Sequence, residues 1–511
     1  MNTTKRYKYQ IGLGLCAFVI MLFCSGASPF NHFASTDGSV FIVMGRGLVQ
    51  GKVLYKDLFD HKGFYLYLIN GIAAMIVPGN LFGLFLMEWL FAFVTASMAF
   101  SICDCFLKDK KASFLSAVLF CAFSYHYMVF EGGNTIEEYV LPLQMAALLL
   151  FVRATSGNEP NAKPVYMFLQ GILVGLVFGL KPNMMLMWGP LGLAVVFMLI
   201  KKREWKNAVL NVTAGLAGVC CGILPVVLYF AVIDGLEAWF YATWSFNLSY
   251  SESVQDSIIR KMVRVLLNPV QGLTFFALLC SMFIVLKTRL LTNVHKIVYF
   301  SVVLFSFAAV SVSGRTYGHY YQHLLPGCLP LFCLAGDFVS GLRIRALYYY
   351  ACICLVLCST SVSGMLIPES VLNRYFGKNL LQLYTLRKDY RACAAVKAEK
   401  CPDSNAVLVT GNSAAFYVWL NVVPDMKYFY VPAIPYQVDP VPIDAQENAI
   451  IEHTADMVIL NFSFGDRGSR TVFAESVRNA EVLKSLEENY DLQYDNPETG
   501  IEIYTRKETR I

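Results

Sequence analysis

Residues 57–80 read DLFDHKGFYLYLINGIAAMIVPGN, and this stretch decides how the chain is threaded through a membrane. Its apolar part, 64–77, is shorter than the roughly 20 residues that a helix needs to cross a bilayer. Counting it as a span would put the basic loop at 108–111 outside and invert every later basic loop, although short cytoplasmic loops are the ones enriched in Lys and Arg. We therefore predict that 64–77 is an interfacial or re-entrant helix in a long first outer loop, 31–80.

The composition indicates that most of the chain lies within a membrane. Of the 511 residues, 56% are hydrophobic and only 15% are charged, whereas about 25% of the residues of soluble domains are charged. Apolar runs long enough to cross a bilayer recur from residue 10 to residue 367. The net charge of +5 comes from short Lys and Arg clusters between these runs. Such clusters set membrane topology, so we predict a lipid bilayer and no nucleic acid as a partner.

The basic clusters predict a polytopic α-helical membrane protein with about eleven transmembrane helices. Lys5, Arg6 and Lys8 keep the amino terminus inside. The spans are predicted at 11–30, 81–106, 112–130, 139–154, 165–180, 183–200, 207–232, 270–286, 297–313, 325–341 and 346–366. An odd number of spans places the carboxyl-terminal region outside.

The composition turns polar after the last predicted span, which divides the chain into a membrane domain, 1–367, and an extracytoplasmic α/β domain, 368–511. Short apolar or alternating runs predict strands, and one amphipathic run predicts a helix. The strands are predicted at 406–410, 428–431, 457–461 and 501–504, and the helix at 470–490. Cys393 and Cys401 lie together in this polar region, and the sequence leaves open whether they form a disulfide in an oxidising compartment.

Charged groups gather on the predicted outer face, at the ends of the spans. The first outer loop carries Asp37 and the run Asp60-His61-Lys62, the second carries Glu131, Glu137 and Glu138, Lys181 precedes Pro182, and a later loop carries Arg315, Tyr317, His319, Tyr320 and His323. Any one of these is explained as a solvated loop charge, and the tyrosines as an interfacial aromatic belt. Together they indicate function, because charge at the hydrocarbon boundary tends to be functional.

In order and sidedness these motifs resemble the GT-C glycosyltransferases, in particular the bacterial branch with protein O-mannosyltransferases and lipid A aminoarabinose transferases. Members of that family carry a stretch of the type D-x-F-D-H-K-x-P at the start of an interfacial helix, and residues 57–64 match it except that Phe64 replaces the Pro. The resemblance implies that Asp37 is the general base. It also implies that Glu137 and Glu138 are the acidic residues of the second outer loop, and that a soluble outer domain follows the spans.

The chemistry of such a site explains the residue types. When a sugar leaves a polyprenyl phosphate or diphosphate, negative charge develops on the phosphate, and cations stabilise it. We therefore predict that the catalytic residues are Asp37, Glu137 and Glu138, that the donor phosphate binds to His61, Lys62, Lys181 and Arg315, and that further substrate contacts come from Asp60, Tyr317, His319, Tyr320 and His323. A single displacement by the acceptor inverts the anomeric centre.

The sequence predicts a metal-independent site without a cofactor. The alternative is Mg²⁺ or Mn²⁺ bound by Asp37, Glu137, Glu138 and His61, since these cations prefer oxygen ligands. The acceptor, whether glycan, lipid or protein, is left open. The rival functions are a transporter or flippase of a lipid-linked or hydrophilic solute, and an O-antigen ligase or polymerase. The resemblance implies a bacterial inner membrane with the site facing the periplasm.

Overall fold

A computed structural model of the chain describes residues 3–155, 163–252, 256–341, 379–462 and 467–507. The predicted span at 346–366 and the predicted domain boundary at 367/368 lie outside the described residues. Helices dominate as far as residue 341, in the order α1 Thr3–Cys24, α2 Thr36–Val49, α3 Phe64–Ile76, α4 Phe82–Phe106, α5 Lys110–Ser124, α6 Tyr127–Phe130, α7 Ile136–Thr155, α8 Pro164–Phe178, α9 Trp188–Lys201, α10 Trp205–Val232, α11 Leu236–Phe240, α12 Phe246–Glu252, α13 Ile258–Leu266, α14 Gly272–Lys287, α15 Asn293–Ser311 and α16 Leu329–Ser340.

Eight of the described helices have the length and apolar composition needed to cross a membrane, so the chain is a polytopic integral membrane protein. Three of them begin with a 3-10 turn, Pro182–Met187 before α9, Pro269–Gln271 before α14 and Gly318–Cys328 before α16. Nine of the predicted spans coincide with described helices, whereas the predicted span at 112–130 is broken after α5. There the His126 side chain accepts a hydrogen bond from Met128 N at 3.1 Å and starts the separate helix α6. The count of eleven spans stays a prediction.

The first outer loop folds into two helices, α2 and α3. The second one is the predicted short helix, and its 13 residues extend about 20 Å, too little for the roughly 30 Å of hydrocarbon. It begins at Phe64, the first helical position, where Pro is also favoured, so the departure from the family motif leaves the start of the helix in place. Phe64 packs against Tyr229 and Phe230 of α10, with ring centroids 4.9 and 5.2 Å apart.

Helices α8 and α10 approach each other closely through glycines. A Cβ atom on Gly171 would lie 2.0 Å from Gly215 O, and one on Gly175 would lie 2.7 Å from the backbone of Gly222. Only glycine permits this distance, and small residues four apart are the usual means of packing membrane helices. The Tyr65 hydroxyl of α3 donates to Gly222 O at 2.6 Å, so the short helix is fastened to the same pair.

After residue 378 the described chain forms a four-stranded sheet with helices on both sides. Strands β1 (Val407–Val409) and β2 (Met457–Asn461) are parallel. Strand β4 (Ile501–Arg506) pairs antiparallel with both β2 and β3 (Tyr490–Asn496), which gives the order β1-β2-β4-β3. Alternate residues of each strand face opposite sides. One side joins the core of the helical part and the other forms a second core. The elements are α17 Asn379–Lys400, β1 Val407–Val409, α18 Ala415–Leu420, α19 Val441–Ile451, β2 Met457–Asn461, α20 Asn479–Asn489, β3 Tyr490–Asn496 and β4 Ile501–Arg506.

The sheet region departs from the sequence-based prediction in three places. The predicted strand at 428–431 is wrong, because this apolar run packs on the first outer loop, where Phe59 N donates to Lys427 O at 2.9 Å. The predicted helix at 470–490 begins only at Asn479. The side-chain oxygen of Asn479 accepts a hydrogen bond from Val472 N at 2.7 Å. Strand β3 was not predicted, since its exposed polar residues hide the strand pattern.

Cys393 and Cys401 are free thiols in this structure. Cys393 lies on α17 and Cys401 directly follows that helix, eight positions further along the chain. Eight residues of helix extend about 12 Å, far beyond the roughly 6 Å between the Cα atoms of a disulfide. The helix therefore holds the two thiols apart.

Candidate active site

A cavity of about 390 Å³ opens where the first outer loop, the second outer loop, the loop after α15 and the carboxyl-terminal region meet. Nine of the twelve predicted site residues line it, namely Asp37, Asp60, His61, Lys62, Glu137, Lys181, Tyr317, His319 and Tyr320. These residues come from five separate stretches of sequence, at 37, 60–62, 137, 181 and 317–320. The structure brings these nine residues together in one cavity, and their role in a functional site stays a prediction.

Asp37 lies in the first turn of α2, which begins where the Ser35 hydroxyl accepts a hydrogen bond from Gly38 N at 3.1 Å. An acid is favoured there because the helix N-terminus carries partial positive charge. The side chain is exposed to the cavity. Among the residues that the structure describes, none donates a hydrogen bond to the Asp37 carboxylate or forms an ion pair with it.

Hydrogen bonds and polar contacts hold the side chains of Asp60, His61 and Lys62 in place. The Asp60 carboxylate is 1% exposed and accepts hydrogen bonds from the hydroxyls of Tyr67 at 2.7 Å and Tyr430 at 2.5 Å. His61 Nδ1 lies 3.2 Å from the same carboxylate, and its Nε2 contacts Lys62 Nζ. These contacts place the Lys62 ammonium group at the cavity wall.

Burial and charge shift the pKa of each member of this run. Burial would raise the pKa of Asp60, but the charge of Lys62 and the hydrogen bonds from His61 and Tyr430 outweigh it, so the pKa is lowered. Burial and the neighbouring Lys62 lower the pKa of His61. Burial also lowers the pKa of Lys62, although the charges of Asp60 and Asp37 oppose the change. At neutral pH the run therefore combines an anionic Asp60 with an uncharged His61.

A buried ion pair lies on another wall of the cavity. Lys181 Nζ is 2.8 Å from Glu137 Oε1, and the Glu137 side chain is 1% exposed. The same ammonium group lies 3.7 Å from the centre of the Tyr320 ring, which adds a cation–π contact. Lys181 precedes the Pro182 turn that leads into α9, so backbone geometry and two side chains fix its position.

Glu131 also lines the cavity, although the sequence did not single it out from its acidic loop. Its carboxylate accepts hydrogen bonds from Gly318 N at 3.1 Å and His319 N at 3.3 Å, and it pairs with His319 Nδ1. The pairing with His319 outweighs burial and lowers the pKa of Glu131. Glu131 has a left-handed backbone with φ 52°, next to two glycines, and this turn was the available sequence signal.

Three predicted site residues lie outside the cavity lining. Glu138 is fully buried and accepts a hydrogen bond from Asn134 N at 2.9 Å, so it caps the start of α7. His323 is buried behind the cavity, where its Nδ1 lies 2.8 Å from Gln144 Nε2. Arg315 donates to Ala433 O at 3.1 Å and so joins the later loop to the carboxyl-terminal region.

The carboxyl-terminal region contributes one wall of the cavity, through Asn412, Tyr430, Pro432 and Ala433. None of these was predicted as a site residue. The segment 430–433 is held by Val431 N, which donates to Gly411 O at 2.8 Å, and by the bond from Tyr430 to Asp60. The sequence gives no local signal for this wall, because its residues are apolar or neutral and lie far along the chain from the motif they cover.

The described residues contain no cluster of three or more His, Cys, Asp or Glu side chains arranged to hold a metal ion. Of the predicted ligands, Glu137 is paired with Lys181 and Glu138 points to the backbone of Asn134. Metal independence stays a prediction.

A polytopic helical protein with two short helices in its first outer loop, a late sheet region and a charged cavity between them has the architecture of the GT-C fold. ArnT from Cupriavidus metallidurans bound to undecaprenyl phosphate is similar, with a TM-score of 0.61 and 11% sequence identity over 99% of this chain and 99% of that chain. The apo state of the same ArnT gives a TM-score of 0.57 at 11% identity, over 99% of this chain and 98% of that chain. No protein-family model and no curated protein sequence matches the chain. The predicted resemblance is thus confirmed at the level of the fold.

Proposed function

We propose that this protein is a glycosyltransferase that moves a sugar from a polyprenyl-phosphate donor to a hydroxyl group of an acceptor. One observation carries the proposal: a cavity of about 390 Å³, in a chain with the fold of ArnT, is lined by two lysines, Lys62 and Lys181, and by Asp37, whose carboxylate forms no ion pair with any residue that the structure describes. The ArnT structure with bound undecaprenyl phosphate supports a lipid phosphate as the donor group.

In the proposed reaction the donor phosphate lies against Lys62 and Lys181. The acceptor hydroxyl gives its proton to the Asp37 carboxylate, and its oxygen bonds to the anomeric carbon. The bond from that carbon to the phosphate oxygen breaks, and its electron pair stays on the phosphate, where the two ammonium groups stabilise the charge. The products are the glycosylated acceptor and free polyprenyl phosphate.

Inversion of the anomeric centre is part of the proposal. Retention requires a second carboxylate as a nucleophile. The other three acids in the cavity lining are engaged: Asp60 with Tyr67 and Tyr430, Glu131 with His319, and Glu137 with Lys181. Within the described part of the chain, Asp37 is the one acid of the cavity lining without such a contact, which supports a single displacement.

We further propose that the reaction needs no metal, because Lys62 and Lys181 bring the positive charge that a divalent cation supplies elsewhere. Transfer in excess chelator is expected to equal transfer in its absence. A loss that added Mg²⁺ or Mn²⁺ restores would contradict this part of the proposal.

The decisive experiment is to incubate the purified protein with sugar-bearing polyprenyl phosphates and to follow the donor lipids by mass spectrometry. A glycosyltransferase converts one of them to free polyprenyl phosphate. A transporter or flippase instead moves solute or lipid across vesicles and leaves the donor unchanged, and that outcome would overturn the proposal.

We propose that the site faces the exterior, as the basic loops predict, and that the membrane is a bacterial inner membrane, as the resemblance implies. Thr36 is exposed in the predicted first outer loop, Met128 is exposed on α6 just before the predicted second outer loop, and Lys108 lies in a predicted cytoplasmic loop. Cysteines introduced at Thr36 and Met128 should react with an impermeant reagent from outside, above the wild-type background, whereas one at Lys108 should not. Labelling of Thr36 and Met128 from opposite sides would refute the orientation.

A further inference from the structure

Two polar side-chain atoms in the cavity wall lack a hydrogen-bond partner among the residues that the structure describes. They are the hydroxyl oxygen of Thr135, a residue that is 4% exposed, and the side-chain oxygen of Asn412. A buried polar atom without a partner is costly, so native proteins rarely keep one. Two of them in one cavity, on walls from different parts of the chain, indicate that a ligand supplies the missing partners.

Thr135 directly precedes α7, where a threonine hydroxyl usually caps the helix by accepting a backbone hydrogen bond. Here the turn is held in another way. Glu138 accepts the hydrogen bond from Asn134 N, and the Asn134 side chain donates to Gly38 O at 3.0 Å. The Thr135 hydroxyl is therefore not used by the helix and remains at the cavity.

Asn412 follows the carboxyl end of β1, beside the parallel strand β2. Loops at the carboxyl ends of parallel strands are where α/β sheets hold their ligands. The loop is rigid: Gly411 N donates to Gln446 Oε1 at 3.0 Å, and Gly411 O accepts from Val431 N at 2.8 Å. Because this loop is already held in place, Asn412 loses little conformational entropy when a ligand binds.

We propose that Thr135 and Asn412 form a subsite for the hydroxyl groups of a neutral sugar ring. A sugar hydroxyl both donates and accepts, so it satisfies a threonine hydroxyl and an amide at once, whereas a phosphate only accepts. Tyr127, Tyr317 and Tyr430 line the same cavity, and aromatic side chains are common in the pockets of small-molecule ligands. The inference rests on the proposed function, and the ring belongs either to the donor or to a glycan acceptor.

The test compares Thr135→Val and Asn412→Ala with two matched controls outside the cavity, Thr213→Val on the exposed face of α10 and Asn405→Ala before β1. The probes are undecaprenyl phosphate without a sugar and the sugar-bearing undecaprenyl phosphate that the wild-type protein consumes. Each subsite variant is expected to weaken binding of the sugar-bearing lipid about 3- to 10-fold, the effect of one neutral hydrogen bond. Binding of the bare lipid phosphate should not change, and both controls should behave as wild type.

The outcomes separate the sources of the sugar ring. Weaker binding of the sugar-bearing lipid alone assigns the subsite to the donor. Unchanged donor binding with a similar rise in the acceptor KM assigns it to a glycan acceptor. Unchanged donor binding together with an unchanged acceptor KM overturns the subsite. An equal loss of binding for both lipids also overturns it. In either case, turnover by the wild-type protein still supports the transferase. If the wild-type protein consumes no donor, the proposed function itself fails and the subsite with it.

Discussion

The two sides of the cavity differ in charge. The side built by the helical part carries every Asp, Glu, Lys and His of the lining, namely Asp37, Asp60, His61, Lys62, Glu131, Glu137, Lys181 and His319. The side built by the carboxyl-terminal region carries only Asn412, Tyr430, Pro432 and Ala433. In the proposed reaction a lipid-linked phosphate enters from the membrane, so the charges that act on it would belong on the helical side. The neutral side suits recognition of an uncharged group.

A second contrast lies within the charged side. Asp60, Glu131 and Glu137 each accept hydrogen bonds or form ion pairs, and they fix the loops around them. Asp37 is exposed to the cavity without such a contact among the described residues. An engaged carboxylate stabilises its neighbours, and one without a partner keeps its lone pairs for an incoming proton. Variants at Asp37, Lys181, Asp60 and Tyr430 test this division.

Asp37→Asn is expected to lower kcat for sugar transfer by about 10²- to 10⁴-fold, the usual contribution of a general base. Binding of undecaprenyl phosphate should stay within a factor of about two, because the phosphate contacts assigned to Lys62 and Lys181 remain. Asp234→Asn is the matched control, since that side chain is 98% exposed and pairs with Lys56 at 3.3 Å. Wild-type turnover in Asp37→Asn would remove this residue from the reaction.

Lys181→Met should reduce both stability and transfer, because it leaves Glu137 charged and buried without its partner. Breaking a buried pair in this way costs about 3 to 5 kcal/mol of unfolding free energy. The double variant Lys181→Met/Glu137→Gln should regain most of that stability, as measured by thermal unfolding in detergent. Its transfer should still be about 10²- to 10³-fold below wild type, the loss expected for one charge-stabilising group.

Recovery of transfer together with stability in that double variant would mean that Lys181 only supports the fold. Lys181→Arg serves as the control, since it keeps the charge next to Glu137.

The charged side of the cavity was largely predictable from the sequence. Its residues lie at the ends of apolar runs, so the pattern of spans and basic loops was enough to bring Asp37, Lys62, Glu137 and Lys181 to one face. The roles of Glu138 and His323 were harder to judge, because the pattern does not tell which side of a helix end faces a cavity. Glu138 caps α7 and His323 contacts Gln144 instead.

The neutral side was not predictable, because it depends on contacts between distant parts of the chain. Tyr430 is 370 positions from Asp60, and the apolar run around it has the composition of a strand. Packing against the first outer loop overrides that local preference, as tertiary context often does for strand propensity. Asn412 has no motif at all, and only the position of β1 brings it to the cavity.

Asp60→Asn should make the protein less stable and should flatten the acid side of its stability curve. The folded pKa of Asp60 is lowered, so its contribution is complete above the unfolded pKa of about 3.9 and is lost as the pH falls through the folded pKa. Near pH 7 the variant should lose about 1 to 3 kcal/mol, because the hydrogen bonds to a charged group become neutral ones. Thermal unfolding midpoints from pH 7 down to pH 3 check this.

In that pH series the difference between wild type and Asp60→Asn should shrink as the pH falls below about 4. A constant difference across the range would show that the charge of Asp60 contributes nothing to the fold.

Tyr430→Phe should have the smallest effect, since it removes one hydroxyl and keeps the ring that packs on Phe429 at 5.2 Å. Asp60 loses the bond from the carboxyl-terminal wall but retains the bond from Tyr67, so the expected loss is about 1 kcal/mol. The double variant Asp60→Asn/Tyr430→Phe should lose less unfolding free energy than the sum of the two single losses, because both variants weaken the same contact. Full additivity in thermal unfolding would show that this bond does not couple the two sides of the cavity.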